Sequence, residues 1–176
     1  MGIHEVKRAV FLDRDGVLTE AVIRDGMPYA SQVVYPEAAG ALAKLHDAGF
    51  ALVVVTNQPD VARGTLRRED VDAFHAELRT QLPLDAVYAC FHDDADHCAC
   101  RKPAPGMLLD GARDLGIDLS RSFMVGDRWR DVDAGAAAGC RTIFVDREYA
   151  ERRPTTFDAR VTSITQAATW ILEASK

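Results

Sequence analysis

The sequence predicts an α/β fold: a three-layer, Rossmann-like parallel sheet of about five or six strands, with helices on both faces and no large cap domain. Three observations carry this. Short apolar runs alternate with segments of helical periodicity along the whole chain. The apolar runs are continuous rather than alternating, as in strands buried on both faces of a parallel sheet. The chain has 176 residues, the size of one domain. No gap between strands is long enough for a second unit. Residues 1–176 are therefore read as one domain with a Cys/His-rich loop at 90–100.

The elements follow in order. Val10-Phe11-Leu12 is a buried strand that stops at the polar turn Asp13-Arg14-Asp15-Gly16. Pro36 to Ala48 places Ala39, Leu42, Ala43 and Leu45 at helical spacing and stops at Gly49. Phe50 to Val55 is a second strand, followed by Thr56-Asn57-Gln58. Leu66 to Leu78 is a polar helix with Val71, Phe74 and Leu78 on one face. Ala86 to Cys90 is a third strand, and Pro105 to Leu115 a helix ended by Gly116. Phe123-Met124-Val125 is a strand leading into Gly126-Asp127, and Asp131 to Ala138 a helix ended by Gly139. Thr142 to Val145 is a fifth strand and Ser163 to Ala174 a last helix. Residues 17–35 and 91–101 are left as irregular segments, the expected active-site loops.

Composition narrows the class. Hydrophobic residues make up 48% and charged residues 27%, a globular balance. The formal net charge of −6 argues against a nucleic-acid partner but not against a small phosphorylated substrate. No apolar run approaches the roughly 20 residues of a membrane span, and Met1 to Val10 has no signal-like apolar stretch. The expectation is a cytoplasmic monomer with no membrane partner. Of four cysteines, three fall within Cys90–Cys100, a crowding that suggests metal more than disulfide.

In open α/β sheets ligands gather at the carboxyl ends of strands. Asp13 and Asp15 follow the first strand, Thr56 and Asn57 the second, and Arg101 and Lys102 the loop after the third. Asp127 and Asp131 follow the fourth. Alone, each group has a bland explanation: a turn, a helix cap, a surface lysine. Together they suit phosphoryl transfer. A carboxylate can attack phosphorus. Crowded carboxylates call for a cation, and magnesium favours carboxylate oxygens. A lysine and a hydroxyl can hold phosphate oxygens. Two aspartates one residue apart in an extended segment point the same way, so one can attack while the other handles the leaving-group proton.

The chain resembles the haloacid dehalogenase superfamily. Asp13-Arg14-Asp15-Gly16-Val17 matches its first motif and Thr56-Asn57 its second; Lys102-Pro103 and Gly126-Asp127-Arg128-Trp129-Arg130-Asp131 match the third and fourth. The resemblance implies Asp13 as nucleophile and magnesium ligand. Asp15 would be the acid/base, binding magnesium through its backbone carbonyl. Thr56 and Lys102 would hold phosphate, and Asp127 would bind magnesium with Asp131 in support. Asp15 speaks against a dehalogenase, which lacks this second aspartate.

A narrower resemblance rests on Phe50 to Gly64 and on Cys98 to Leu109. Both are similar to the capless branch that holds the heptose-bisphosphate and histidinol-phosphate phosphatases. That branch implies a structural zinc on Cys90, His92, Cys98 and Cys100, with His97 as the competing imidazole. Three thiolates and an imidazole suit tetrahedral zinc independently. The resemblance also places Asn57, Gln58 and Arg101 in the substrate pocket, and Arg128 where the heptose enzymes have a lysine; Arg63 is a weaker candidate.

Asp93, Asp94 and Asp96 are read as solvated loop charges, Cys140 as a core thiol, and His4, His46 and His75 as structural. Trp129 is either a pocket wall or a packing residue. The expected substrate is a small sugar phosphate or bisphosphate. The alternatives are histidinol phosphate and, in another class, a non-catalytic phosphosugar-binding protein.

Overall fold

The computed structural model describes residues 6–176, apart from the side chains of Pro28 and Tyr29. His4, read above as structural, lies outside the described residues.

Six strands form one sheet in which every pairing is parallel. They are β1 (Arg8–Leu12), β4 (Phe50–Asn57), β5 (Ala86–Cys90), β6 (Phe123–Gly126), β7 (Arg141–Val145) and β8 (Ala159–Val161). The spatial order is β5-β4-β1-β6-β7-β8. The chain builds outward from β1 through β4 to β5, then returns to β1's other edge with β6. That reversal opens a crevice at the carboxyl ends of β1 and β6, where α/β sheets bind ligands. Register places Leu12 beside both Val54 and Val125, so the residues after these strands emerge at one level.

Alternate side chains divide between two cores, as strand geometry requires. Val10, Leu12, Leu52, Val54 and Val125 face α1 (Ala38–Asp47), α2 (Arg68–Gln81) and α5 (Ile164–Ala174). Ala9, Phe11, Val53, Val55 and Met124 face α3 (Gly106–Leu115) and α4 (Trp129–Ala138). Every one of these strand residues is fully buried. Double-sided burial is why the strands are written as unbroken apolar runs. No helix among the described residues is long and apolar enough to cross a membrane.

The segment at 17–35, expected to be irregular, instead forms an antiparallel hairpin, β2 (Thr19–Arg24) paired with β3 (Met27–Val34). Its turn is Asp25-Gly26, with φ of 50° and 74°. Positive φ at both central residues matches the twist of a tight hairpin, and Asp-Gly tolerates it. Val22, Ile23 and Val33 remain exposed on it. Its apolar run, Ala21-Val22-Ile23, is as long as Val10-Phe11-Leu12 but lies in a solvated two-stranded ladder, outside the strand-helix alternation that marked the central strands. The short β8, Ala-Arg-Val, carries no apolar run because a charged residue stands at its centre. Helices α2 and α4 begin at Arg68 and Trp129, within two residues of expectation.

Candidate active site

The first loop starts where β1 ends. The Asp13 amide donates to Val125 O at 2.9 Å, extending the β1–β6 ladder by one residue and aiming Asp13 into the crevice. Gly16 follows with φ +82°, and a Cβ there would collide with the Asp127 carboxylate and the Tyr149 hydroxyl. Both the backbone conformation and the close approach demand glycine. The amides of Leu18 and Thr19 donate to Arg14 O at 2.8 and 3.0 Å, closing the loop.

Asp13, Asp127 and Asp131 converge: each offers an oxygen within 4.8 Å of the others. They are 8%, 2% and 2% exposed. Lys102, 1% exposed, enters from the third-motif loop. Its Nζ donates to Asp13 Oδ1 at 2.8 Å and Val55 O at 2.7 Å, and stands 2.6 Å from Asp131 Oδ1. Asp131 Oδ2 accepts from the Arg128 amide at 2.9 Å, so this side chain ties the start of α4 to the lysine. One ammonium faces three carboxylates. A like-charge pair at such range costs roughly 3–4 kcal/mol at an effective dielectric of about 20. Burial, then the charges of Asp13 and Asp131, push the Asp127 carboxyl well above its ordinary range. Burial and Asp13 push Asp131 up to about 6, against the pull of Lys102. Burial works against the Lys102 ammonium, but Asp13 and Asp131 outweigh it and hold the group firmly protonated. Asp127 Oδ2 accepts from the Tyr149 hydroxyl at 2.5 Å, while its Oδ1 is buried without a partner. Three oxygen donors, excess negative charge and an orphaned oxygen fit a divalent cation such as magnesium.

Asp15 lies on the same cleft but outside this cluster. Its carboxylate accepts from Arg14, Thr19 Oγ1 (3.1 Å) and Gln58 Nε2 (3.0 Å). The hairpin contributes the Ser31 amide at 3.4 Å. Thr56 is fully buried, its hydroxyl accepting from Gln58 Nε2 at 2.9 Å. Asn57 clamps the Lys102 backbone instead of standing free: Nδ2 donates to Lys102 O and Oδ1 accepts from Lys102 N, both at 3.0 Å.

The cleft has a volume of about 330 Å³ and is rimmed by Arg63, Arg101, Arg128 and Arg130, with Met27 and Ala30 of the hairpin as one wall. Each rim arginine is held by a carboxylate. Arg63 donates to Asp93 at 2.7 Å, Arg101 to Asp94 at 2.7 Å and Arg130 to Asp94 at 3.1 Å. Arg128 forks Glu151 at 2.8 and 2.6 Å. Asp93 and Asp94 are thus anchors for three arginines, which corrects their reading as merely solvated charges. The Arg63 hydrogen bond holds the Asp93 carboxyl down at about 2. Arg130 and Arg152 stack on Trp129, their guanidinium carbons 4.7 and 3.5 Å from its ring centroid.

The loop after β5 gathers Cys90, His92, Cys98 and Cys100, whose ligand atoms also lie within 4.8 Å of one another. Cys100 Sγ is 3.0 Å from Cys90 Sγ and 3.3 Å from His92 Nδ1. His97, in the left-handed region at φ 46°, is not one of the four. Soft thiolates with one imidazole fit a closed tetrahedral zinc site. Cys140 is a buried core thiol. His75, read only as structural, is buried on α2 against Arg14. Neither His75 nor Tyr149 carried a local signal in the sequence. Arg14 did, by standing between two motif aspartates.

A model of the haloacid dehalogenase-like hydrolases matches residues 25–139. The D-glycero-beta-D-manno-heptose-1,7-bisphosphate 7-phosphatase of Rhodopseudomonas palustris is 41% identical over 143 residues, covering 74% of this chain and 79% of that protein. The enzyme of the same name from Bordetella bronchiseptica is 36% identical over 141 residues, covering 76% and 77%. Among solved structures, the D,D-heptose 1,7-bisphosphate phosphatase from B. bronchiseptica, complexed with magnesium and phosphate, superposes with a TM-score of 0.81 at 31% identity. That match covers 95% of this chain and 99% of that one. The chain belongs to the haloacid dehalogenase-like hydrolases, and within them it is a phosphatase.

Proposed function

We propose that the chain hydrolyses a sugar bisphosphate, of the kind named for its heptose-1,7-bisphosphate relatives, through an aspartyl-phosphate on Asp13. The observation that carries the reading is the buried cluster of Asp13, Asp127 and Asp131 around the single ammonium of Lys102. A non-catalytic binder has no need of this cluster together with Asp15.

Lys102 holds Asp13 Oδ1, which leaves Oδ2 as the attacking oxygen. Oδ2 forms a bond to phosphorus as the bond from phosphorus to the sugar oxygen breaks. Asp15 gives a proton to that departing oxygen. The Asp15 carboxylate then takes a proton from water, whose oxygen attacks phosphorus and releases Asp13 and inorganic phosphate. Lys102 and Thr56 hold phosphate oxygens, and Gln58 links Thr56 to Asp15. Magnesium would be held by Asp13, Asp127 and the Asp15 carbonyl with Asp131 in support; when bound it neutralises charge on the transferring group.

The rim arginines suit a second phosphate on the substrate. Arg101 and Arg130 share Asp94, so a phosphate can displace that carboxylate and keep both guanidinium groups paired. Zinc on Cys90, His92, Cys98 and Cys100 would stiffen the loop that carries Arg101 and Lys102. Phosphate release from heptose 1,7-bisphosphate, hexose monophosphates and histidinol phosphate tests the reading. The expected order puts the bisphosphate first in kcat/KM. Turnover of histidinol phosphate with none on any phosphosugar would overturn the sugar assignment.

A further inference from the structure

Asp15 rests its carboxylate on a buried arginine. Arg14 Nε and Nη2 donate to Asp15 Oδ1 at 3.2 and 3.1 Å, and Nη2 reaches Oδ2 at 3.0 Å. Arg14 is only 3% exposed. Its remaining nitrogen, Nη1, turns the other way and meets His75 Nε2 at 2.9 Å. Arginine can only donate, so Nε2 must accept and the ring proton sits on Nδ1. Burial and the Arg14 charge push the imidazole down to about 4, which keeps it a neutral acceptor. Phe74, the preceding residue of α2, sets its ring against the same guanidinium, 5.3 Å from Arg14 Cζ to the centroid. Asp72, Arg68 and Arg79 line the groove on the outer side of His75. Helix α2 therefore grips the far end of Arg14 while the near end grips Asp15.

We infer that His75 is a positioning residue for Asp15, acting through Arg14. The inference rests on the phosphatase reading, in which Asp15 moves the proton. With the Nη1 acceptor in place, the fork facing Asp15 has one orientation. Without it, the guanidinium rotates toward another acceptor and the carboxylate shifts with it. Proton transfer is steeply sensitive to such displacements, whereas phosphate binding by Lys102 is not.

The test compares His75→Leu, which keeps the volume but removes the acceptor, with His75→Gln, whose amide oxygen can accept from Arg14. Two substrates are used with each: heptose 1,7-bisphosphate, whose leaving alkoxide needs a proton, and p-nitrophenyl phosphate, whose leaving phenolate does not. His75→Leu should lower kcat on the sugar roughly tenfold, a fraction of a general acid's full worth. KM on the sugar and the single-turnover rate of p-nitrophenolate release, which reports attack by Asp13 before any water is activated, should stay within about twofold. His75→Gln should recover most of the loss.

Melting temperatures read alongside separate this from general loosening. An equal loss in kcat on the sugar and in single-turnover p-nitrophenolate release, no loss in either, or no recovery with Gln overturns the inference while the phosphatase reading stands. A wild-type protein that releases phosphate from neither substrate overturns both.

Discussion

Asn57 and Lys102 are joined backbone to side chain in both directions: the amide of Asn57 donates to Lys102 O and accepts from Lys102 N, each at 3.0 Å. The clamp fixes the main chain from which Lys102 reaches Asp13 and Asp131. Asn57→Ala removes both bonds and should cost about 1–3 kcal/mol of stability. It should also lower kcat/KM by roughly tenfold or more, because the ammonium loses its fixed origin. Urea unfolding and initial rates check both effects.

Among the described residues, Lys102 is the only ammonium at the three buried carboxylates. Lys102→Met should abolish measurable turnover. Removing one partner of a buried ion pair typically costs about 3–5 kcal/mol. Added magnesium should restore part of that stability but none of the activity. Thermal melts with and without the cation, beside a rate assay, report the two separately.

The clamp also marks what could be read in advance. Asp13, Asp15, Lys102 and Asp127 were legible because each directly follows a strand or sits in a compact motif, and parallel strands deliver such residues to one edge. The buried strands were legible from Val10 to Val145 by their unbroken apolar runs. The clamping role of Asn57 was not, since its partner lies 45 residues away. The same holds for Arg14 with His75, 61 apart, and for Tyr149 with Asp127, 22 apart. These contacts exist only once the sheet has formed. The hairpin is a different omission: Asp25-Gly26 is a turn signal and Ala21-Val22-Ile23 precedes it, but that run is solvated and belongs to no helix-strand alternation that would mark it as part of the main sheet.

His75 also makes a stability prediction. Its folded value near 4 lies below the unfolded 6.5, so its contribution is fully present above about pH 6.5. As pH falls from there toward 4 the unfolded chain takes up a proton that the folded ring refuses, and stability drops by up to about 1.4 kcal/mol per pH unit. Asp131, raised to about 6, pushes the opposite way in the apoprotein. The difference in unfolding free energy between wild type and His75→Gln isolates the histidine. That difference should change between pH 6.5 and 4 and be flat above 7.

The thiol loop makes a prediction about metal content. Purified protein should retain about one zinc per chain after dialysis, as a closed four-ligand site does. Cys98→Ser or Cys100→Ser should lose it and melt earlier. Cys140→Ser should keep it, since that thiol is a core side chain and not one of the four gathered ligands. Metal analysis of the three variants decides the point.

In the proposed mechanism Asp13 carries the phosphoryl group. Rapid quenching during turnover, reduction with tritiated borohydride and peptide mapping would find that group most directly, because borohydride reduces an acyl phosphate but not a free carboxylate. Tritium is expected in the peptide containing Val10 to Arg14, at position 13, and none in the Asp13→Asn variant. An unlabelled protein under active turnover, or label at Asp15 or Asp127 instead, would contradict that mechanism.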